Sequence, residues 1–188
     1  MINKNRAYKF TKEYKMEELD LSPDFLTQNA ELLYQFVDMF SNYENTVRDY
    51  GGNNYFTMNE IHVLSAIAKN PGIFSSVLAE QRRRSKGFIS QIVTKLEKYG
   101  CVYKQSDAKD NKKKGLYPTE RGLALAKSHD DFDIQTLEKT YGYLRRDCTP
   151  EEIRHFYKVI KVYINIMTAA ERKRHRLQLE SLQENITK

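Results

Sequence analysis

The chain has 188 residues, 40% of them apolar and 30% charged, with a formal net charge of +6 and only four prolines and eight glycines. Mean hydropathy is −0.72, and no apolar run approaches the roughly 20 residues of a membrane span, so the composition reads as a soluble, helix-rich protein without a membrane segment. The N-terminal MINKNRAYKFTKEYKMEELD has no apolar signal core, which points to the cytoplasm, and two cysteines make no disulfide framework.

The first 22 residues are polar and aperiodic and read as an arm. Ser22-Pro23-Asp24 then opens a helix, with Ser22 as N-cap and Pro23 at the first helical position. Leu26, Leu33, Phe36, Val37, Phe40, Tyr43 and Val47 recur at three- and four-residue steps, one helix face wide. The run Arg48-Asp49-Tyr50-Gly51-Gly52-Asn53-Asn54 closes this helix as a loop. Thr57-Met58-Asn59-Glu60 is a capping box opening a second helix that buries Ile61, Leu64, Ile67 and Ala68 and ends at Asn70-Pro71-Gly72. Ser75 or Ser76 is the expected cap of a short third helix with Val77, Leu78 and Ala79. Arg82-Arg83-Arg84 forms the turn after it, and Ser85 caps a longer helix that turns Phe88, Ile89, Ile92, Val93 and Leu96 inward. Lys86, Gln91, Lys95 and Lys98 are expected outside, and Gly100 terminates the helix. Alternation then replaces the helical period. Val102 to Gln105 and Leu116-Tyr117 read as two strands joined by a polar tip, a wing leaning on the helices. Thr119-Glu120-Arg121-Gly122 begins a long helix to about Arg146, and Thr149-Pro150-Glu151-Glu152 caps another with Ile153, Phe156, Tyr157, Ile160, Ile164 and Met167 on one face. Residues 171–188 are a charged continuation.

The positive charge is local. Between Arg82 and Lys114 stand eleven Lys/Arg against three acids, a net of +8 in 33 residues, while the whole chain sums to +6 and the remainder therefore to −2. Such a patch on a helix-turn-helix and wing is the footprint of double-stranded DNA binding. Ser85, Lys86 and Gln91 would reach base edges, Gln91 with an amide suited to adenine, and Gly87 would let the backbone approach closely. Arg82, Arg83, Arg84, Lys95, Lys109, Lys112 and Lys113 would grip phosphates and set salt sensitivity. The flanking helices carry apolar faces with nothing in their own chain to cover them. Two copies packed through them would present paired recognition helices to a pseudo-palindromic operator, with half-sites about 10 bp apart.

The order of elements, with Ser85-Lys86-Gly87-Phe88-Ile89-Ser90, Leu96-Glu97-Lys98-Tyr99-Gly100, Asp107 to Lys112 and Pro118-Thr119-Glu120-Arg121-Gly122, resembles the MarR (multiple antibiotic resistance regulator) family of winged-helix transcriptional regulators from about Phe25 to Met167. The resemblance implies a mainly α fold with a small β-wing: an arm (1–22), a dimerisation helix (23–54), a winged helix-turn-helix (55–118), further dimerisation helices (119–170) and a charged extension (171–188). It implies an obligate homodimer that represses transcription and releases DNA on binding a small aromatic or phenolic effector between the dimerisation region and the winged helix. It places Asp110 as the residue bracing the wing. Lys112 stands where the family usually has a minor-groove arginine, and lacks that residue's planar fork.

No sensor declares itself. Cys101 reads as a buried structural thiol, and Cys148 as a more exposed one in a loop. His129 with Asp133, and Glu171 with His175, have one-turn spacing, but each lacks a third ligand from its own neighbourhood, so they read as solvated pairs and no metal is expected. His62, Tyr34, Tyr55 and Phe56 are candidates to line an effector pocket, although such aromatics more often belong to the core. The alternatives to a ligand-responsive repressor are an effector-independent or architectural DNA-binding protein and a protein that turns its basic face to an acidic partner. An enzyme is not expected, because the chain has no phosphate loop, nucleophile elbow or dense carboxylate–histidine cluster, and no cofactor motif.

Overall fold

The structure is a computed structural model that describes residues 22–51, 53–106 and 114–186, apart from the side chains of 175, 179 and 181–186. The N-terminal arm and the wing tip lie outside the described residues, and with them the expectations placed on Lys109, Asp110, Lys112 and Lys113. In chain order the elements are α1 (Pro23–Asn45), β1 (Arg48–Asp49), β2 (Tyr55–Phe56), α2 (Met58–Lys69), α3 (Ser75–Arg82), α4 (Lys86–Lys98), β3 (Val102–Ser106), β4 (Lys114–Pro118), α5 (Glu120–Leu144) and α6 (Pro150–Ile186). They form two compact units, Met1–Leu123 and Ala124–Lys188.

Local chemistry sets the boundaries. Ser22 Oγ accepts from the Phe25 amide at 3.3 Å, and Pro23 stands where its missing N–H costs nothing. At α2 the capping box is complete: Glu60 N–H donates to Thr57 Oγ1 (3.3 Å) and Thr57 N–H to Glu60 Oε2 (2.9 Å). The second box is complete too, with Thr149 N–H to Glu152 Oε2 at 2.7 Å and Glu152 N–H to Thr149 Oγ1 at 3.2 Å. The expected serine cap of α3 is absent. Phe74 occupies the N-cap position without a side-chain bond, and Ser75 is already helical. The glycine- and asparagine-rich loop is the turn of a hairpin that the sequence did not announce, pairing Arg48 with Phe56 and Asp49 with Tyr55. Asp49 Oδ1 braces that turn, accepting from the Gly51 (3.0 Å) and Asn54 (2.9 Å) amides.

In the first unit the core is built from Phe56, Ile61, Leu64, Ile67, Leu78, Ile89, Leu96 and Leu116, all fully buried. β3 and β4 pair antiparallel from Val102↔Pro118 to Ser106↔Lys114, and Ile73 bridges to Leu116 as a third contributor to the wing's base. The wing is tied down at Thr119, whose N–H donates to Cys101 O (3.0 Å) and whose hydroxyl donates to Gly100 O (2.7 Å) while accepting from Gly122 N–H (3.0 Å). A Cβ on Gly122 would lie 2.0 Å from Cys101 O, so only glycine fits. None of α1 is buried; Leu32, Phe36, Val37, Met39 and Phe40 are all more than a third exposed.

The second unit holds most of α5 and all of α6, and the charged continuation is helical through Ile186. Val159, Tyr163, Ile164, Ile166 and Met167 are exposed along α6. His129 corrects the expectation of a solvated pair: it is buried, with Nε2 3.3 Å from Asp133 Oδ2. No helix among the described residues is long and apolar enough to cross a membrane.

Candidate nucleic-acid interface

The site is built on α4. Ser85 Oγ accepts from Phe88 N–H at 3.1 Å, so the helix starts at Lys86. At the other end Gly100, at φ 65°, lets its own amide reach Glu97 O (2.9 Å) and the Cys101 amide reach Leu96 O (2.9 Å). Ile89, Ile92, Val93 and Leu96 are buried and Phe88 is half-buried, which anchors one face of the helix. The opposite face presents Lys86, Gly87, Ser90, Gln91, Thr94 and Lys98 to solvent. A Cβ on Gly87 would meet nothing closer than Ser85 Oγ at 4.0 Å, so the first turn is open on its outer side.

The turn leading into α4 is strained. Arg83 adopts the left-handed conformation (φ 51°, ψ 42°), which closes α3 by bringing its own amide to Glu80 O (3.2 Å) and that of Arg84 to Ala79 O (3.0 Å). A glycine would take this conformation without cost, and a side chain at such a position recurs at functional sites.

Of the expected phosphate-gripping residues, Arg83 is exposed in the turn before α4; Lys86, expected at base edges, is exposed in the first turn of the helix. Arg82, Arg84 and Lys95 have partners within the domain. Arg82 donates to His62 O at 2.7 Å. Partial burial lowers its guanidinium pKa from the ordinary arginine value, and the Glu44 carboxylate acts in the opposite direction. Arg84 lies 3.5 Å from Glu44 Oε2 and 3.4 Å from Asn59 Oδ1, over the Phe88 ring at 5.4 Å. Lys95, expected outside, is half-buried, with Nζ 2.7 Å from Glu60 Oε2. Sequence periodicity assigned Lys95 by its backbone angle and missed an acid 35 residues away. Behind the start of α4 lies a polar cavity of about 90 Å³ lined by Glu44, Asn59, His62, Arg82, Arg84 and Phe88. Of the suggested effector-lining residues only His62 reaches it; Phe56 is in the core, and Tyr34 and Tyr55 are exposed.

On the wing, Tyr103 stacks on Tyr117 (5.5 Å between ring centres), and Lys104 Nζ meets Glu97 Oε2 at 2.6 Å, tying β3 to α4. The Cys101 thiol is buried, and desolvation pushes its pKa up, with Arg121 acting the other way.

The family model of the MarR family matches residues 56–112, the segment from β2 through α4 into the wing. In this segment the chain is similar to the MarR family. Over 106 residues it is 31% identical to an uncharacterised HTH-type transcriptional regulator, YhjH, of Bacillus subtilis, covering 56% of this chain and 59% of that one. A second Bacillus subtilis regulator of the same description, YybA, is 32% identical over 84 residues, 45% of this chain and 46% of its own. The chain thus spans about half the length of the curated relatives it matches. Among solved structures, Streptococcus pneumoniae FabT in complex with DNA aligns with a TM-score of 0.58 at 19% identity, covering 76% of this chain and 96% of that one. Lactococcus lactis ZitR, described as a zinc-responsive MarR family member, aligns at 0.57 and 20%, covering 75% and 97%. At these identities the likeness speaks for the fold alone, a winged helix.

Proposed function

We propose that this chain is a MarR-family regulator of transcription, a sequence-specific, homodimeric DNA-binding protein in which α4 enters the major groove and the wing lies along the backbone. The observation that carries the reading is the outer face of α4: a continuous solvent-facing row of Lys86, Gly87, Ser90, Gln91 and Thr94 on a helix whose other face is locked into the core. Ser85, Lys86 and Gln91 reach base edges, and Gln91 can offer adenine both a donor and an acceptor. Arg83 at the turn, together with Lys109, Lys112 and Lys113 of the wing, supplies the phosphate grip, and Asp110 braces the wing. Arg82, Arg84 and Lys95, bonded within the domain, shape the site from behind. FabT, a similar fold, has been crystallised with DNA.

A second copy covers the apolar faces of α1 and α6. Exposed apolar side chains run along both long helices, and faces of that kind mark protein–protein contact. The output is repression, relieved by a small aromatic or phenolic ligand. The polar cavity behind α4 supports a ligand-sensitive element, because its arginines tie the turn before the recognition helix to α2 through His62 and to α1 through Glu44. One observation favours the effector-independent alternative: about 90 Å³ is well below the roughly 300 Å³ of ordinary small-molecule pockets.

Binding to the chain's own promoter and to a scrambled duplex of equal length, at two salt concentrations, tests the reading. Preference for the promoter with one dimer per palindrome supports it. Equal and steeply salt-dependent binding to both duplexes, or a monomer by light scattering, counts against it.

A further inference from the structure

We infer that Glu60 and Lys95 form a clamp that fixes the attitude of α4 against α2, and that both govern base discrimination as positioning residues without touching the duplex. The inference rests on the DNA-reading function proposed above.

Glu60 Oε2 serves two partners at once, accepting from Thr57 N–H at 2.9 Å and from Lys95 Nζ at 2.7 Å. The carboxylate is therefore held by the cap of α2 and cannot follow Lys95 away without opening that cap. It is also largely shielded, with the Glu60 side chain 15% exposed and that of Lys95 32%. The ammonium has aromatic neighbours as well, the Phe56 ring at 5.4 Å and the Tyr99 ring at 5.9 Å, within cation–π range. Those rings meet edge to face at 5.4 Å, and Phe56 is fully buried. Lys95 is thus held by a fixed acid and by two rings, one of them fixed in the core. An ammonium so engaged is a poor phosphate ligand.

What the clamp holds is the helical turn after Gln91. Residues four apart in a helix lie one above the other, so Lys95 sits directly beyond Gln91 on the flank of α4. A small rotation of α4 about its axis would carry Gln91 away from a base edge, and the clamp opposes that rotation. The Glu97–Lys104 pair, at 2.6 Å, is a contrasting case: both partners are about a third exposed and neither belongs to a helix cap, so it should contribute little.

The test uses the full chain and two duplexes: one selected by the wild-type protein from a random pool, and a scramble of it. Glu60→Gln keeps an acceptor for the capping box while removing the charge, and Lys95→Gln removes the cation. Each is expected to lower the preference for the selected duplex about tenfold, the size of losing one base contact. The double variant should lose no more than either single one, and the salt dependence should stay that of the wild type. Lys95→Arg should restore the preference, and Lys104→Gln should leave it within about twofold, as expected of an exposed pair. Binding is measured where circular dichroism shows each variant native, so reduced stability alone leaves the preference unchanged. The clamp is overturned if Lys95→Gln weakens both duplexes equally and flattens the salt slope by about one contact, or if Glu60→Gln has no effect. A wild-type protein that enriches no sequence overturns the DNA reading itself, and the clamp's role falls with it.

Discussion

Replacing Arg83 by glycine should move stability and DNA affinity in opposite directions. Arg83 holds φ 51° and ψ 42° at the end of α3, where an L side chain costs roughly 1–2 kcal/mol. Glycine removes that cost but gives the unfolded chain more freedom, which returns about 0.5–1 kcal/mol. The net gain is about 0.5–1 kcal/mol, a rise in Tm of about 2 °C for a chain of this length. Affinity should fall on every duplex, and the log–log salt slope should shrink by about 0.9, the contribution of one phosphate contact. Arg83→Ala separates the two effects, because it removes the charge and keeps the Cβ: the DNA loss should be the same and the stability gain absent. Thermal melts and fluorescence anisotropy at several salt concentrations read both quantities. If Arg83→Gly lowers Tm, the strain argument is wrong. If it binds DNA as tightly as the wild type, Arg83 does not grip a phosphate.

The remaining predictions concern different parts of the molecule. Gly122→Ala would force a Cβ to 2.0 Å from Cys101 O, and should destabilise by about 3 kcal/mol, lowering Tm by roughly 6–12 °C in a thermal melt. Gln91→Ala should cost about 1–3 kcal/mol on the preferred duplex and little on others, as measured by competition binding. Glu152 is held below the ordinary glutamate range by the Thr149 amide and then by the Thr149 hydroxyl. A depressed folded pKa gives stability that is present above the unfolded pKa and lost as pH falls through the folded one. Acidification below pH 4.5, the ordinary glutamate value, should therefore loosen the start of α6, and Glu152→Gln should remove that pH dependence in amide exchange. A thiol reagent at neutral pH should label the partly exposed Cys148 and spare Cys101, whose thiol is buried with its pKa raised.

Much of this was legible in the sequence where the determinants are local. The caps at Ser22, Thr57, Ser85 and Thr149 and the stop at Gly100 each depend on side chains within a few residues, and all stand where the chain chemistry puts them. The β1–β2 hairpin was not legible, because strands of two residues are too short to show alternation. The start of α3 misled for a related reason: two serines stood ready, but Phe74 begins the helix and no side-chain cap is made. At the site, periodicity correctly separated the inner from the outer face of α4. It failed for Lys95, whose long side chain folds back to an acid on another helix, and for His129, which is buried although charged residues follow it directly in sequence.

The central claim is that the outer face of α4 reads base sequence. Selecting duplexes from a random pool with the wild-type protein and with Gln91→Ala tests it most directly. The account predicts a pseudo-palindrome with half-sites about one duplex turn apart for the wild type, and relaxed choice at one position of each half-site for the variant. Identical enriched sequences from both proteins, or no enrichment from either, would contradict it.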